Sequence, residues 1–112
     1  MIELYHRGEW LPLCPESELV PGRGVAALLD DEQQVAVFLT PEGDLYAVGN
    51  RDPFSAAEVI SRGLLGSRGE APTVASPMYK QVFDLRTGTC LDEDATPDGS
   101  PATLPTWPIR RT

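Results

Sequence analysis

Ser76-Pro77-Met78-Tyr79-Lys80-Gln81-Val82-Phe83-Asp84-Leu85-Arg86-Thr87-Gly88 divides into a proline-marked polar loop, a short apolar run and a turn. The run from Val82 to Leu85 mixes branched and aromatic side chains, the composition of a half-buried strand. Arg86-Thr87-Gly88 then offers a tight turn, because glycine accepts backbone angles closed to other residues. Thr89 to Leu91 follows as the return strand, so antiparallel pairing is the expectation.

The same grammar repeats upstream. Trp10 to Cys14, Gly24 to Leu29, Gln34 to Leu39 and Asp44 to Val48 are apolar runs separated by turn residues, among them Asp30-Asp31-Glu32 and Pro41-Glu42-Gly43. A last strand is expected over Thr106 to Arg110. With 11 prolines and 10 glycines in 112 residues, the chain reads as all-β, one domain with a single modest core. One segment departs from the pattern: Ser55-Ala56-Ala57-Glu58 has the form of a capping box, which predicts a short helix. Phe54, Ala57, Val59, Ile60 and Leu64 would form its apolar face and Gly63 its left-handed stop. Residues 92–105 are polar and proline-rich, the composition of a surface loop.

The loop and strand from Ser76 to Gly88 resemble the second cluster-binding motif of a Rieske iron–sulfur protein, Cys-Pro-x-His followed by an aromatic-Asp-x-x-Thr-Gly strand and turn. Ser76 stands at the Cys position and Tyr79 at the His position. The first motif, a Gly-x-aromatic-Ala-apolar strand leading into Cys-x-His, is similar to Gly43-Asp44-Leu45-Tyr46-Ala47-Val48-Gly49, with Asn50 at the Cys position and Asp52 at the His position. A Rieske centre is held by two thiolates and two imidazoles, and none of the four residues here supplies either.

Over nearly its whole length the chain resembles the small subunit of assimilatory NAD(P)H-dependent nitrite reductase, through Asn50-Arg51-Asp52-Pro53-Phe54-Ser55, Ser61-Arg62-Gly63 and Ser76 to Gly88. That resemblance implies a Rieske-like antiparallel β sandwich with a small loop subdomain and no cluster. It implies a non-redox subunit that supports reduction of nitrite to ammonium in nitrate assimilation by binding a large catalytic subunit. FAD, a four-iron cluster and sirohaem would sit in that large subunit. The loop tips, which in a Rieske protein face the electron-transfer partner, would offer Arg51, Pro53, Phe54, Met78, Tyr79 and Lys80 as a contact patch. Tyr79 has a second reading, as a plug for the vacated cluster volume with its phenol bonded to Asn50 or Asp52. Two further functions remain open: an electron carrier with unusual ligands, and a free-standing interaction module for another oxidoreductase.

Composition excludes other classes. A formal charge of −8 argues against a nucleic-acid partner, since phosphate binding rests on clustered cations. No run reaches the ~20 apolar residues of a membrane span, and Met1 to Arg7 has no apolar core preceded by basic residues, so no signal peptide is expected and cytoplasmic residence is the expectation. Cys14, Cys90 and His6 lack metal-ligand spacing, and the two cysteines are expected as unpaired thiols in a reducing compartment. His6 reads as a surface histidine, Asp52 and Asp84 as turn and strand residues, and Gly22-Arg23-Gly24 falls short of a dinucleotide fingerprint.

Overall fold

Gln34-Val35-Ala36-Val37-Phe38-Leu39 carries apolar side chains on both faces, and such a strand is stable only between two cores. The computed structural model, which describes all 112 residues, places it there. In chain order the strands are β1 (Ile2–His6), β2 (Glu9–Cys14), β3 (Gly24–Leu28), β4 (Gln34–Leu39), β5 (Leu45–Gly49), β6 (Leu64–Arg68), β7 (Ala71–Ala75), β8 (Val82–Asp84), β9 (Thr106–Trp107) and β10 (Ile109–Arg111). They form three antiparallel sheets, ordered β10-β1-β2, β3-β4-β5-β9 and β6-β7-β8.

The four-stranded sheet is the middle layer. Val35, Val37, Leu39 and Ala47 point to one side and pack with Ile2, Leu4, Leu19 and Leu29. Ala36, Phe38 and Val48 point to the other and pack with Ile60, Val74, Phe83, Leu85 and Leu104. Alternation along β4 thus feeds two cores from one strand. Phe38 and Phe83 are fully buried, each worth roughly 1.5–3 kcal/mol by area alone.

The expected strands recur with small shifts of boundary, and three departures have physical causes. Thr106 to Arg110 is two strands, because Pro108 has no N–H to donate and the chain changes sheets there. Trp107 pairs with Ala47 of the middle sheet, while Ile109 pairs with Leu4 of β1. Thr89 to Leu91 makes only isolated bridges, through Phe83–Cys90 and Thr89–Thr103. β1, β6 and β7 lie where no strand was expected; Gly66, Pro72 and the polar Ser67 mask the β6–β7 hairpin.

The α-helix expected after the capping box is replaced by one 3₁₀ turn, Ile60–Arg62. Ser55 Oγ accepts the N–H of Ala57, only two residues on, and Ala56 has φ +63°, which ends any helical path. Asn50 captures the Glu58 carbonyl and the Ser61 N–H, so tertiary bonds outcompete the local cap. Leu64, assigned to the helix's apolar face, is instead 78% exposed. Gly63 is no left-handed stop either, at φ −71°; it is needed because a Cβ would meet the Ala75 carbonyl at 2.5 Å.

Residues 92–105 contain no strand, yet the stretch is not confined to the surface, since Ala102 and Leu104 fill the core beneath Phe83. Polar neighbours concealed them. His6 is likewise no surface residue. Trp107 Nε1–H donates to His6 Nδ1 at 3.1 Å, which leaves the ring proton on Nε2 to donate to Asp31 Oδ2 at 3.1 Å. The contact ties β1, β9 and the β3–β4 turn. Cys14 and Cys90 are free thiols in different layers.

Gly88, at φ +78°, faces the Leu104 carbonyl so closely that a Cβ would lie 1.9 Å from its oxygen. Gly88→Ala should therefore lower unfolding free energy by about 3 kcal/mol, measured by urea titration. A second outcome follows from Asp84, whose carboxyl is held below its usual range chiefly by the Arg86 guanidinium hydrogen bonds. Its contribution is present above the ordinary carboxylate range of about 4 and is lost as pH falls through the lowered value. Arg86→Ala should remove that share of the acid-side slope, read from thermal midpoints across the acid range.

Candidate functional site at the paired loops

Two loops meet at one end of the middle sheet, one leaving β5 at Asn50 and the other joining β7 to β8. In each, a short oxygen-bearing residue precedes proline: Asp52-Pro53 and Ser76-Pro77. Proline fixes φ at the second position of a turn and holds its predecessor extended. The predecessor's side chain then accepts an N–H two residues on, Phe54 to Asp52 Oδ1 at 2.8 Å and Met78 to Ser76 Oγ at 3.3 Å.

The backbone closes both turns alike. Ala56 N–H donates to the Asp52 carbonyl at 2.7 Å, and Lys80 N–H to the Ser76 carbonyl at 3.0 Å. Asp52 N–H reaches the Ala57 carbonyl at 2.8 Å, and Ser76 N–H reaches that of Gln81 at 2.9 Å. Ala56 and Lys80 take φ of +63° and +64°. One six-residue turn is thus built twice, in 52–57 and 76–81.

The copies are joined at their first residues. Ser76 Oγ donates to Asp52 Oδ2 at 2.5 Å, and both residues are buried at 1% exposure or less. A buried carboxylate is tolerated only when its oxygens are satisfied, and the Phe54 N–H and the Ser76 hydroxyl satisfy one each. Asn50 is fixed as fully: its amide N–H groups donate to Gln34 Oε1 at 2.9 Å and the Glu58 carbonyl at 3.2 Å, and its Oδ1 accepts from Ser61 N–H at 2.7 Å.

Tyr79 is the exception. It is 60% exposed and makes no side-chain hydrogen bond to Asn50 or Asp52, so the plug reading fails. The lock between the loops is the Asp52–Ser76 pair instead. Phe54 turns inward, with its ring 6.3 Å from that of Phe83, and Pro53 is half-buried. Arg51, Met78, Tyr79 and Lys80 face solvent. Two positive-φ residues other than glycine, Ala56 and Lys80, sit at these tips and cost about 1–2 kcal/mol each.

The donor set does not fit a Rieske cluster. Such a cluster takes thiolate and imidazole ligands, whereas here the amide is spent on Gln34 and backbone groups, the carboxylate and hydroxyl on each other and on backbone N–H groups, and the phenol points outward. What the arrangement does is tie the two loops to each other through a hydroxyl and a carboxylate. Sequence reading missed Gln34, Glu58 and Ser61 as the partners of Asn50. It also missed the duplication, whose signal is an oxygen-bearing residue before proline in both loops.

Asp52→Ala strands the Ser76 hydroxyl and the Phe54 N–H, and should cost about 2–3 kcal/mol by denaturant unfolding. Asp52→Asn should cost clearly less, because an amide can accept from Phe54 N–H while donating to Ser76 Oγ.

Comparison with known proteins agrees with this geometry. The model of the Rieske-like [2Fe-2S] domain matches residues 9–112. The nitrite reductase (NADH) small subunit of Escherichia coli (strain K12) is 40% identical over 87 residues, 77% of this chain and 80% of that protein. The nitrite reductase [NAD(P)H] large subunit of Klebsiella oxytoca is 37% identical over 101 residues, 90% of this chain and 10% of that polypeptide. A crystal structure from Mycobacterium tuberculosis, assigned as an NADH-dependent nitrite reductase small subunit, superposes with a TM-score of 0.80 at 47% identity, covering 90% of this chain and 85% of that one. No helix here is long and apolar enough to cross a membrane. With a family match across residues 9–112 and relatives of this identity and coverage, the chain belongs to the Rieske-like [2Fe-2S] domain family, in the branch that holds the nitrite reductase small subunits.

Proposed function

We propose that this chain is the non-redox small subunit of a cytoplasmic NAD(P)H nitrite reductase and supports reduction of nitrite to ammonium by binding the large catalytic subunit. The observation that carries the proposal is the Klebsiella oxytoca polypeptide, in which a segment 37% identical to 90% of this chain is part of a nitrite reductase large subunit. Two units carried on one chain in that protein have been held at high mutual concentration, as docking partners are. Nitrate assimilation is the pathway such an activity serves. The family resemblance implies FAD, a four-iron cluster and sirohaem in the large subunit, and in keeping with it the four loop positions of the small chain offer no thiolate or imidazole to a cluster.

The loop tips form the docking surface. Arg51, Met78, Tyr79 and Lys80 make the contact, while Pro53 and Phe54 hold the first loop from beneath. Free Cys14 and Cys90 accord with a reducing cytoplasm. The donor set tells against an electron-carrier role, and the fused relative tells against a free-standing module.

Binding only the folded large subunit stabilises it by about 2.7 kcal/mol when the small chain is at 100 times its Kd. The large subunit alone should therefore lose nitrite-dependent NAD(P)H oxidation faster on heating than the pair, or turn over more slowly. Full activity and equal heat resistance without this chain would refute the role.

A further inference from the structure

The chain carries 9 cations against 17 carboxylates, yet its unpaired cations are not scattered. Arg7, Arg68, Arg86, Arg110 and Arg111 are committed to ion pairs with Asp31, Asp92, Asp84, Glu3 and Glu16. The four that remain are Arg23, Arg51, Arg62 and Lys80, all exposed. Arg51 and Lys80 lie in the paired loops. Arg62 ends the 3₁₀ turn that Asn50 captures, and Arg23 precedes Gly24, whose Cα packs so tightly on the Ser61 carbonyl that a Cβ would come to 2.5 Å. In 50–64 and 75–82 the only carboxylates are the buried Asp52 and the exposed Glu58, which sits across a β-bridge from Arg51 without forming an ion pair to it.

Exposed apolar side chains stand beside these cations in the chain, Leu64 two residues after Arg62 and Met78 and Tyr79 just before Lys80. Leu64 is 78% exposed, Tyr79 60% and Met78 49%. Leu64 pairs with Ala75, the residue before Ser76, and so stands beside the second loop. Ala75 pairs with Val82, whose carbonyl accepts the Leu91 N–H, and this row lies on the face of the small sheet opposite Leu65, Val74 and Phe83. The outer row continues the tip patch along the sheet.

Resting on the subunit reading above, we propose that this whole face, with Leu64, Met78 and Tyr79 at its centre and the four unpaired cations around it, docks on a large-subunit surface that is apolar in the middle and acidic at the rim. Complementary sign is the reason for that assignment. A chain of net charge −8 repels an acidic partner everywhere except where its own cations stand unopposed, so the basic face selects the orientation of approach. Apolar side chains at the centre then supply the contact that holds the complex.

The test is titration of the isolated large subunit with the full chain and with single variants, by biolayer interferometry at about 50 and about 300 mM NaCl. Arg62→Glu should slow association at low salt and flatten its salt dependence, and Leu64→Ser should speed dissociation, each weakening binding by about tenfold or more. Arg111→Glu makes the same charge change beside Gly43, at the far end of β5, and should leave the affinity within about twofold. Normal affinity for Arg62→Glu and Leu64→Ser would overturn the docking face while leaving the subunit role intact. No binding by the unaltered chain would overturn both. Self-association of the chain through Leu64, detected by sedimentation and not displaced by the large subunit, would assign the face to a second copy and also overturn the proposal.

Discussion

Ser76 and Asp52 are far apart in sequence, come from loops of different sheets, and meet through a single buried hydrogen bond of 2.5 Å. Each residue also organises its own turn, accepting an N–H through its side chain and another through its carbonyl. The bond therefore joins two closed units rather than two flexible segments. In a Rieske protein a metal cluster ties these loops together; here a hydroxyl and a carboxylate hold the corresponding positions, and both are out of water. The tie between the loops is kept where thiolate and imidazole ligands are absent from these positions.

The rest of the fold holds those loops in place. β4 packs into both cores, β5 leads directly into Asn50, and Asn50 in turn captures the 3₁₀ turn that carries Arg62. The small sheet anchors the second loop through Val74 and Phe83 on its buried face. Two strained residues, Ala56 and Lys80, are retained at the tips because the surrounding hydrogen bonds over-determine their geometry. Rigid tips suit recognition, since little conformational freedom is then lost on docking.

Much of this was legible from the sequence where the code is local. Gln34 to Leu39 emerged with its boundaries intact because five consecutive apolar residues, rich in β-forming Val and Phe, follow Gln34 between two turns. The loop positions Asn50, Asp52, Ser76 and Tyr79 were legible through resemblance, but their roles were not. Whether Tyr79 or Ser76 closes the gap depends on which side chain turns inward, and sequence spacing carries no such direction. The missing helix shows the same limit. Ser55 and Glu58 favour a cap locally, and Asn50 overrides them from across the loop. Ala102 and Leu104 were hidden because their neighbours are polar, while their burial is decided by the layer they happen to face.

Residue-resolved hydrogen exchange of the chain tests the lock most directly. The Ala56 and Lys80 amides belong to exposed residues whose N–H groups are bonded to the Asp52 and Ser76 carbonyls. If the buried pair holds both loops, these two amides exchange together, with protection that approaches that of the β7–β8 amides and falls in both loops at once in Asp52→Ala. Exchange at the rate of an open loop in the unaltered chain, or loss of protection in only the first loop of the variant, would contradict the account.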